Sequence, residues 1–178
     1  VYKRQEWMES EGCFSVVYLL YEHSGFYRLI TAAFLHADVE HLLNNMLLLY
    51  CCGDVVERCL AKVRFLILSF GSAIFGNLLS AAYELSTGSF YESIGASGAV
   101  FGLTGALLFL VIVKKGAAAG ISLKRAVFAV VLSLYAGFGS AYVNNAAHVG
   151  GLLSGFLLGF LLSIIPPVFR KKGFSHEK

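Results

Sequence analysis

Long uncharged hydrophobic segments occupy most of the chain after residue 40. Four segments contain no Asp, Glu, Lys or Arg, and each is close to the length of about 20 residues that crosses a hydrocarbon core. They are Phe65–Tyr83, Ile94–Val113, Ala126–Val143 and Ala146–Ile165. A fifth segment, His41–Val56, is largely apolar but carries His41, two asparagines and Asp54. The pattern predicts an all-α protein, a polytopic bundle of five membrane-spanning helices.

The N-terminal region has a different pattern. Val1–Leu35 carries charged residues throughout, and its longest apolar run, Cys13–Tyr21, is too short to span a bilayer. Its aromatic residues are of the types found at headgroup depth, namely Phe14, Tyr18, Tyr21, Phe26 and Tyr27. We therefore expect an interfacial or loop segment over 1–35, a transmembrane core over 36–167 and a basic cytoplasmic tail over 168–178.

Composition supports a membrane protein. The chain is 57% hydrophobic and 14% charged, whereas soluble domains average about 25% charged residues. A soluble fold would need four uncharged helices buried on all sides within one small domain. The net charge of +3 is modest, and the basic residues indicate topology, so we expect the lipid bilayer as a partner and no nucleic acid.

Basic residues cluster between alternate hydrophobic segments. They are Arg58, Lys62 and Arg64, then Lys114, Lys115, Lys124 and Arg125, and finally Arg170, Lys171, Lys172 and Lys178. The connections Glu84–Ser93 and Asn144–Asn145 contain no Lys or Arg. By the positive-inside rule the basic regions are cytoplasmic. The polar residues at the starts of three spans then share the non-cytoplasmic side: His41, Asn45, Ser97 and His148.

Ser97 and His148 form a candidate nucleophile and base. Ser97 lies in Gly95-Ala96-Ser97-Gly98, and a serine hydroxyl becomes a good nucleophile when a histidine accepts its proton. No Asp or Glu occurs between Glu92 and Glu177, which favours a Ser–His dyad over a triad. Small residues spaced by four let two such helices approach closely: Gly98, Gly102 and Ala106 on one, and Gly151, Gly155 and Gly159 on the other.

Acyl transfer also needs donors for an oxyanion. His41 and Asn45 are four residues apart, on one face of a helix, and the Ser97 N–H lies at a helix N-terminus. Taken alone, an Asn such as Asn45 near a helix end is more often a helix cap or a packing residue, but its coincidence with Ser97 and His148 on one side of the membrane favours the oxyanion role. His36, His41 and His148 could instead suggest a metal, but no His-Glu-x-x-His motif is present, so we expect neither a metal nor another cofactor.

In combination these motifs resemble the rhomboid intramembrane serine proteases. The matching parts are Tyr27-Arg28, His36, His41-Leu42-Leu43-Asn44-Asn45, Gly53, Glu57, Gly95-Ala96-Ser97-Gly98 and Ala147-His148-Val149-Gly150-Gly151 continuing to Gly155. The resemblance covers roughly 25–165. Each motif is short, but their order, spacing and topology are specific in combination.

The resemblance implies a serine endopeptidase that cleaves transmembrane segments of other proteins. Ser97 would be the nucleophile and His148 the general base, and the oxyanion and substrate would be positioned by His41, Asn45, Gly95, Ala96 and the Ser97 N–H. Structural support would come from Arg28, His36, Glu57, Phe101, Gly151 and Gly155. Phe101 stands where many members of the family have Tyr. The family has six spans, so we expect that this chain lacks the first.

Two other functions fit parts of the pattern. An inactive relative that binds and escorts membrane proteins would lack the Ser or the His, and both are present. A small transporter would carry charged residues deep within its spans or repeated halves, and neither is apparent. We expect a multi-pass protein of a bacterial cytoplasmic membrane whose active site opens to the non-cytoplasmic side.

Overall fold

The computed structural model describes residues 7–8, 10–21, 25–113, 122–124, 126–128, 130–131 and 143–165. The helices of this part that we number are α1 (Val16–Tyr21), α2 (Arg28–Thr31), α3 (Val39–Leu60), α4 (Lys62–Thr87), α5 (Ser97–Val113) and α6 (Asn145–Ile164). Two 3-10 turns, Gly25–Tyr27 and Ala32–Phe34, flank α2. The described residues contain no strand beyond one isolated bridge between Phe14 and Ser93. The all-α prediction is confirmed.

Local chemistry determines where the long helices begin and end. Asp38 caps α3, because its carboxylate accepts the backbone N–H of His41 at 2.7 Å. Ala61, with φ 67° and ψ 161°, separates α3 from α4 in a conformation that normally requires glycine. Gly88, with φ 70°, ends α4 in the left-handed conformation.

Two helices of the described residues are long and apolar enough to cross a membrane, α4 and α6, with mean hydropathies of 1.7 and 1.8. They match the predicted spans 65–83 and 146–165. The span predicted from Ile94 begins as a helix only at Ser97, because Gly95 adopts φ 120° and its N–H bonds to the carbonyl of Ala32 at 2.8 Å. Most of the span predicted over 126–143 lies outside the described residues. The segment 41–56 lies within α3, a helix of 22 residues.

Helix α5 is the central element of the bundle. Most of its residues are buried, and it packs against α3, α4 and α6. The contact with α6 is so close that a Cβ added at Gly155 would overlap the carbonyl oxygen of Gly102, and one added at Gly151 would overlap that of Gly98. Because these glycines bring the backbones together, the starts of α5 and α6 lie side by side.

The N-terminal segment packs on this bundle. Phe14, expected at headgroup depth, is completely buried in a cluster with Leu29, Ala32 and Ala81, whereas Tyr21 and Phe26 are exposed. The reason is the bridge to Ser93, in which Phe14 donates to and accepts from the Ser93 backbone at 2.9 and 2.7 Å. Because the backbone of Phe14 pairs with Ser93, in the connection between α4 and α5, the Phe14 ring points into the bundle.

Candidate active site

Ser97 is the first residue of α5. The chain reaches it through Gly95 and Ala96, and the left-handed φ of Gly95 sets the direction from which the helix starts. The first N–H groups of a helix have no partner within it, so the Ser97 N–H is available as a donor beside the hydroxyl. Ser97 therefore offers two groups at the start of α5: its hydroxyl as a candidate nucleophile and its backbone N–H as a candidate oxyanion donor.

His148 lies in the first turn of α6 and is 8% exposed. Its ring is stacked on Phe101, with centroids 4.2 Å apart and an angle of 17° between the planes. Nδ1 is buried and has no hydrogen-bond partner among the described residues. The stacked phenyl ring constrains the plane of the imidazole.

Helix α3 supplies the opposing polar residues. The ring of His41 lies against Gly95, where an added Cβ would be 2.7 Å from Cε1 and 2.8 Å from Nε2. Asn45 is buried, and its amide donates to the carbonyl of His41 at 3.0 Å. The structure therefore brings His41 to the loop before Ser97, while the Asn45 amide bonds within its own helix.

One cavity of about 1310 Å³ unites these residues. Its wall includes Ser97, Phe101, His148, His41 and Asn45. Among the described residues no hydrogen bond joins Ser97 to His148, and catalytic hydrogen bonds often tighten only in the Michaelis complex. The cavity thus brings a serine, two histidines and an asparagine to one space.

Two residues predicted to support the site, Arg28 and Glu57, are not part of the cavity wall. Arg28 is buried, donates to the carbonyls of Ser10 and Cys13 at 2.8 and 3.2 Å, and lies over the Tyr18 ring at 4.1 Å. It thus organises the N-terminal segment. Glu57 is half-buried in the last turns of α3, at the end opposite His41. Its structural role stays a prediction.

His36 lies just before α3, with its ring 5.1 Å from that of His41 in an edge-to-face arrangement. Burial, and secondly the proximity of His41, lower the pKa of His36 below its ordinary value of 6.5. Since the unfolded chain binds this proton more readily, the contribution of His36 to stability is present above about pH 6.5 and decreases as the pH falls. A neutral His36 packs against His41 without adding positive charge.

Two residues of this region were missed by the sequence analysis. Glu84 was assigned to a connection, but α4 continues to Thr87 and buries Glu84 completely. Asn144 was also assigned to a connection, and it is the N-cap of α6, accepting the N–H of Ala147 at 3.0 Å. Asn before an apolar segment is a typical helix-start signal and could have identified Asn144.

Comparison with known proteins gives a consistent result. The family model described as the rhomboid domain matches residues 23–165. The chain is 37% identical to Bacillus subtilis YdcA over 135 residues, which cover 76% of this chain and 66% of YdcA. It is 33% identical to the Bacillus subtilis rhomboid protease GluP, covering 78% of this chain and 26% of GluP. It is 37% identical to Arabidopsis thaliana RHOMBOID-like protein 1, covering 89% and 40%. The chain thus spans from about a quarter to about two thirds of these relatives.

Proposed function

This chain belongs to the rhomboid family of integral membrane proteins, and we propose that it is an intramembrane serine endopeptidase that cleaves transmembrane segments of other proteins. The observation that carries the proposal is the shared cavity, in which Ser97 from α5 and His148 from α6 face one space with His41 and Asn45 from α3. A nucleophile, a base and oxyanion donors are the parts that acyl transfer requires.

In the proposed reaction, Ser97 Oγ attacks the carbonyl carbon of the scissile peptide bond and His148 Nε2 accepts the hydroxyl proton. The oxyanion that forms accepts hydrogen bonds from the Ser97 N–H, from His41 and from the Asn45 amide after it leaves its bond to the His41 carbonyl. His148 then donates the proton to the leaving amine. Water hydrolyses the acyl-enzyme by the same steps, with His148 as base.

The proposed dyad has no carboxylate at His148 Nδ1. In the described part of the chain this atom has no hydrogen-bond partner, and stacking on Phe101 fixes the imidazole instead. A phenyl ring packs as a tyrosine ring would and lacks only the hydroxyl. We infer that ring stacking takes over the orienting role that a carboxylate has in a triad.

The cavity is proposed to open to the non-cytoplasmic side of the membrane. Its polar wall lies at the N-terminal ends of α3, α5 and α6 and includes three acids, Asp38, Glu40 and Glu92. Lys62 begins α4 and Arg58 lies near the end of α3, so these cations lie at the opposite end of the bundle. Cations on the cytoplasmic side follow the positive-inside rule.

The test is cleavage of a model transmembrane substrate in proteoliposomes, together with labelling by a fluorophosphonate, which reacts with activated serines. We expect Ser97→Ala and His148→Ala each to abolish cleavage, and the double variant to lose no more than either alone, because the two residues act as a unit. Ser69→Ala is the matched control. Ser69 lies in the N-terminal half of α4, and its hydroxyl donates to the carbonyl of Phe65 in the same helix. Cleavage by Ser97→Ala at the wild-type rate would contradict the proposal. A folded wild type that neither cleaves nor labels would favour a binding role.

A further inference from the structure

Glu84 belongs to none of the motifs that carry the proposed chemistry, yet it is a fully buried acid near the end of α4. Its Oε1 accepts a hydrogen bond from Ser80 Oγ at 3.0 Å. Its Oε2 accepts bonds from Ser15 Oγ at 3.2 Å and from the backbone N–H of Val16 at 3.3 Å. Burying a carboxylate is costly unless its oxygens are bonded, and ionisable residues in membrane helices usually serve a function.

Asn144 connects this carboxylate to the starts of both reacting helices. Its Oδ1 accepts the N–H of Ala147 at 3.0 Å and its carbonyl accepts the N–H of His148 at 3.2 Å, so it holds the first turn of α6. Its Nδ2 donates to Ser80 Oγ and to Ser93 Oγ, both at 2.6 Å. One amide group therefore contacts α4, the segment before α5 and the start of α6.

The direction of these bonds is fixed by the groups themselves. Because Oδ1 of Asn144 is bonded to a backbone N–H, Nδ2 is the atom that faces the two hydroxyl groups. Ser80 Oγ accepts one of its hydrogens and donates its own hydrogen to Glu84, which as a carboxylate only accepts. The chain of hydrogen bonds thus runs from Asn144 through Ser80 to Glu84. An acceptor in place of Nδ2 could not donate to Ser80, so the first of these bonds would be lost or reversed in direction.

Ser93 links the same network to the nucleophile. It lies four residues before Ser97, and its backbone is held by the paired hydrogen bonds to Phe14 at 2.9 and 2.7 Å. The segment that follows Phe14 supplies Ser15 and Val16, the two donors to Glu84 Oε2. The connection that leads to Ser97 and the carboxylate network are therefore attached to the same short N-terminal segment.

We propose that Glu84, Ser80, Asn144 and Ser93 form a positioning network that holds the start of α5, with Ser97, at a fixed distance from the start of α6, with His148. The kinetic part of the inference rests on the proposed function. None of the four residues needs to touch the reacting atoms. A displacement of about 1 Å in a catalytic group lowers rates by on the order of 100-fold, so four well-bonded supports at the helix starts are kinetically important.

Asn144→Asp tests the direction of the network. Aspartate keeps the N-cap acceptor for Ala147 but presents an oxygen to Ser80 and Ser93 where Nδ2 donates. Ser80→Ala removes the link to Glu84 and leaves the cap intact, and Ser69→Ala on the same helix is the control. For both network variants we expect the rate constant for fluorophosphonate labelling per active site to fall by about 10-fold or more. For Ser80→Ala we expect KM for a transmembrane substrate to change by less than about 2-fold, because Ser80 is not part of the cavity wall, whereas Asn144 lines it.

Active-site titration separates positioning from simple loss of folded protein. Wild-type rate constants in both variants, or a smaller labelled fraction with an unchanged rate constant, would overturn the network. If wild-type protein does not label, the proposed function fails, and amide hydrogen exchange then decides the network separately. We expect residues 93–98 and 145–150 to exchange faster together in Asn144→Asp and in Ser80→Ala. Faster exchange confined to 145–150, or none, would overturn the proposal.

Discussion

Gly95 is the single residue on which the geometry around Ser97 depends most directly. It has φ 120°, which an L side chain rarely adopts, and it leaves no room for a Cβ beside the His41 ring. The same residue donates its N–H to the carbonyl of Ala32. One small residue therefore fixes the direction of the chain into α5 and lets the His41 ring approach the loop before Ser97, the proposed nucleophile.

We expect Gly95→Ala to lower kcat by on the order of 100- to 1000-fold, the loss typical of one oxyanion donor, because the new methyl group would displace His41. Gly88→Ala is the matched control: Gly88 also has a positive φ, but nothing lies within 4 Å of an added Cβ. The control should lose on the order of 1 kcal/mol of stability and keep its kcat. Equal kcat values for both variants, measured per titrated active site, would remove His41 from the oxyanion site.

At this scale the sequence predicted the candidate site from residue types and spacing. Ser97, His148, His41 and Asn45 come together in one cavity because they begin helices that share an end of the bundle. Glu84 escaped prediction because its donors Ser15 and Val16 lie 69 and 68 residues away along the chain. Hydrophobic periodicity contains no information on such long-range polar pairs.

At the scale of elements, the contact between α5 and α6 depends on glycine. The spacing of Gly151, Gly155 and Gly159 predicted a close helix approach, and the structure places Gly155 against the backbone of Gly102. Helix boundaries were less predictable. Hydropathy alone extended α5 back to Ile94, since an isoleucine, a glycine and an alanine look apolar whatever their backbone conformation, and it ended α4 before Glu84.

We expect Gly155→Ala to lower the thermal midpoint in detergent and the labelling rate constant together, because the added methyl group overlaps backbone atoms that cannot rotate away. Overpacking of this kind typically costs about 1–3 kcal/mol. Gly71→Ala is the control, since a Cβ there meets only Cδ1 of Leu158, at 3.0 Å, the movable end of a side chain. If the two alanine variants melt alike, the α5–α6 contact is looser than described.

At the scale of the whole molecule, the two ends of the bundle differ in charge. The cavity end carries Asp38, Glu40 and Glu92, and the described residues that line its wall include no Lys or Arg. At the other end, Arg64 in the first turn of α4 donates to the carbonyl of Ile165 at 2.7 Å, which ties the start of α4 to the end of α6. Since α4 has 26 residues, or about 39 Å at 1.5 Å per residue, it is long enough to separate these ends by the hydrocarbon core of a bilayer, about 30 Å.

This asymmetry predicts the orientation of the protein in the membrane. Lys62, the first residue of α4, and Ser89, two residues beyond its end, are both exposed. Lys62→Cys and Ser89→Cys therefore mark the two ends of α4, each introduced in a background with the four native cysteines replaced. Because translocating cations is disfavoured, we expect a membrane-impermeant maleimide to label Cys at position 89 from the non-cytoplasmic side and at position 62 only from the cytoplasmic side. Labelling of both from one side would mean that α4 does not span. Exchanged sides would place the Ser97 cavity toward the cytoplasm and would contradict the orientation proposed from the basic residues.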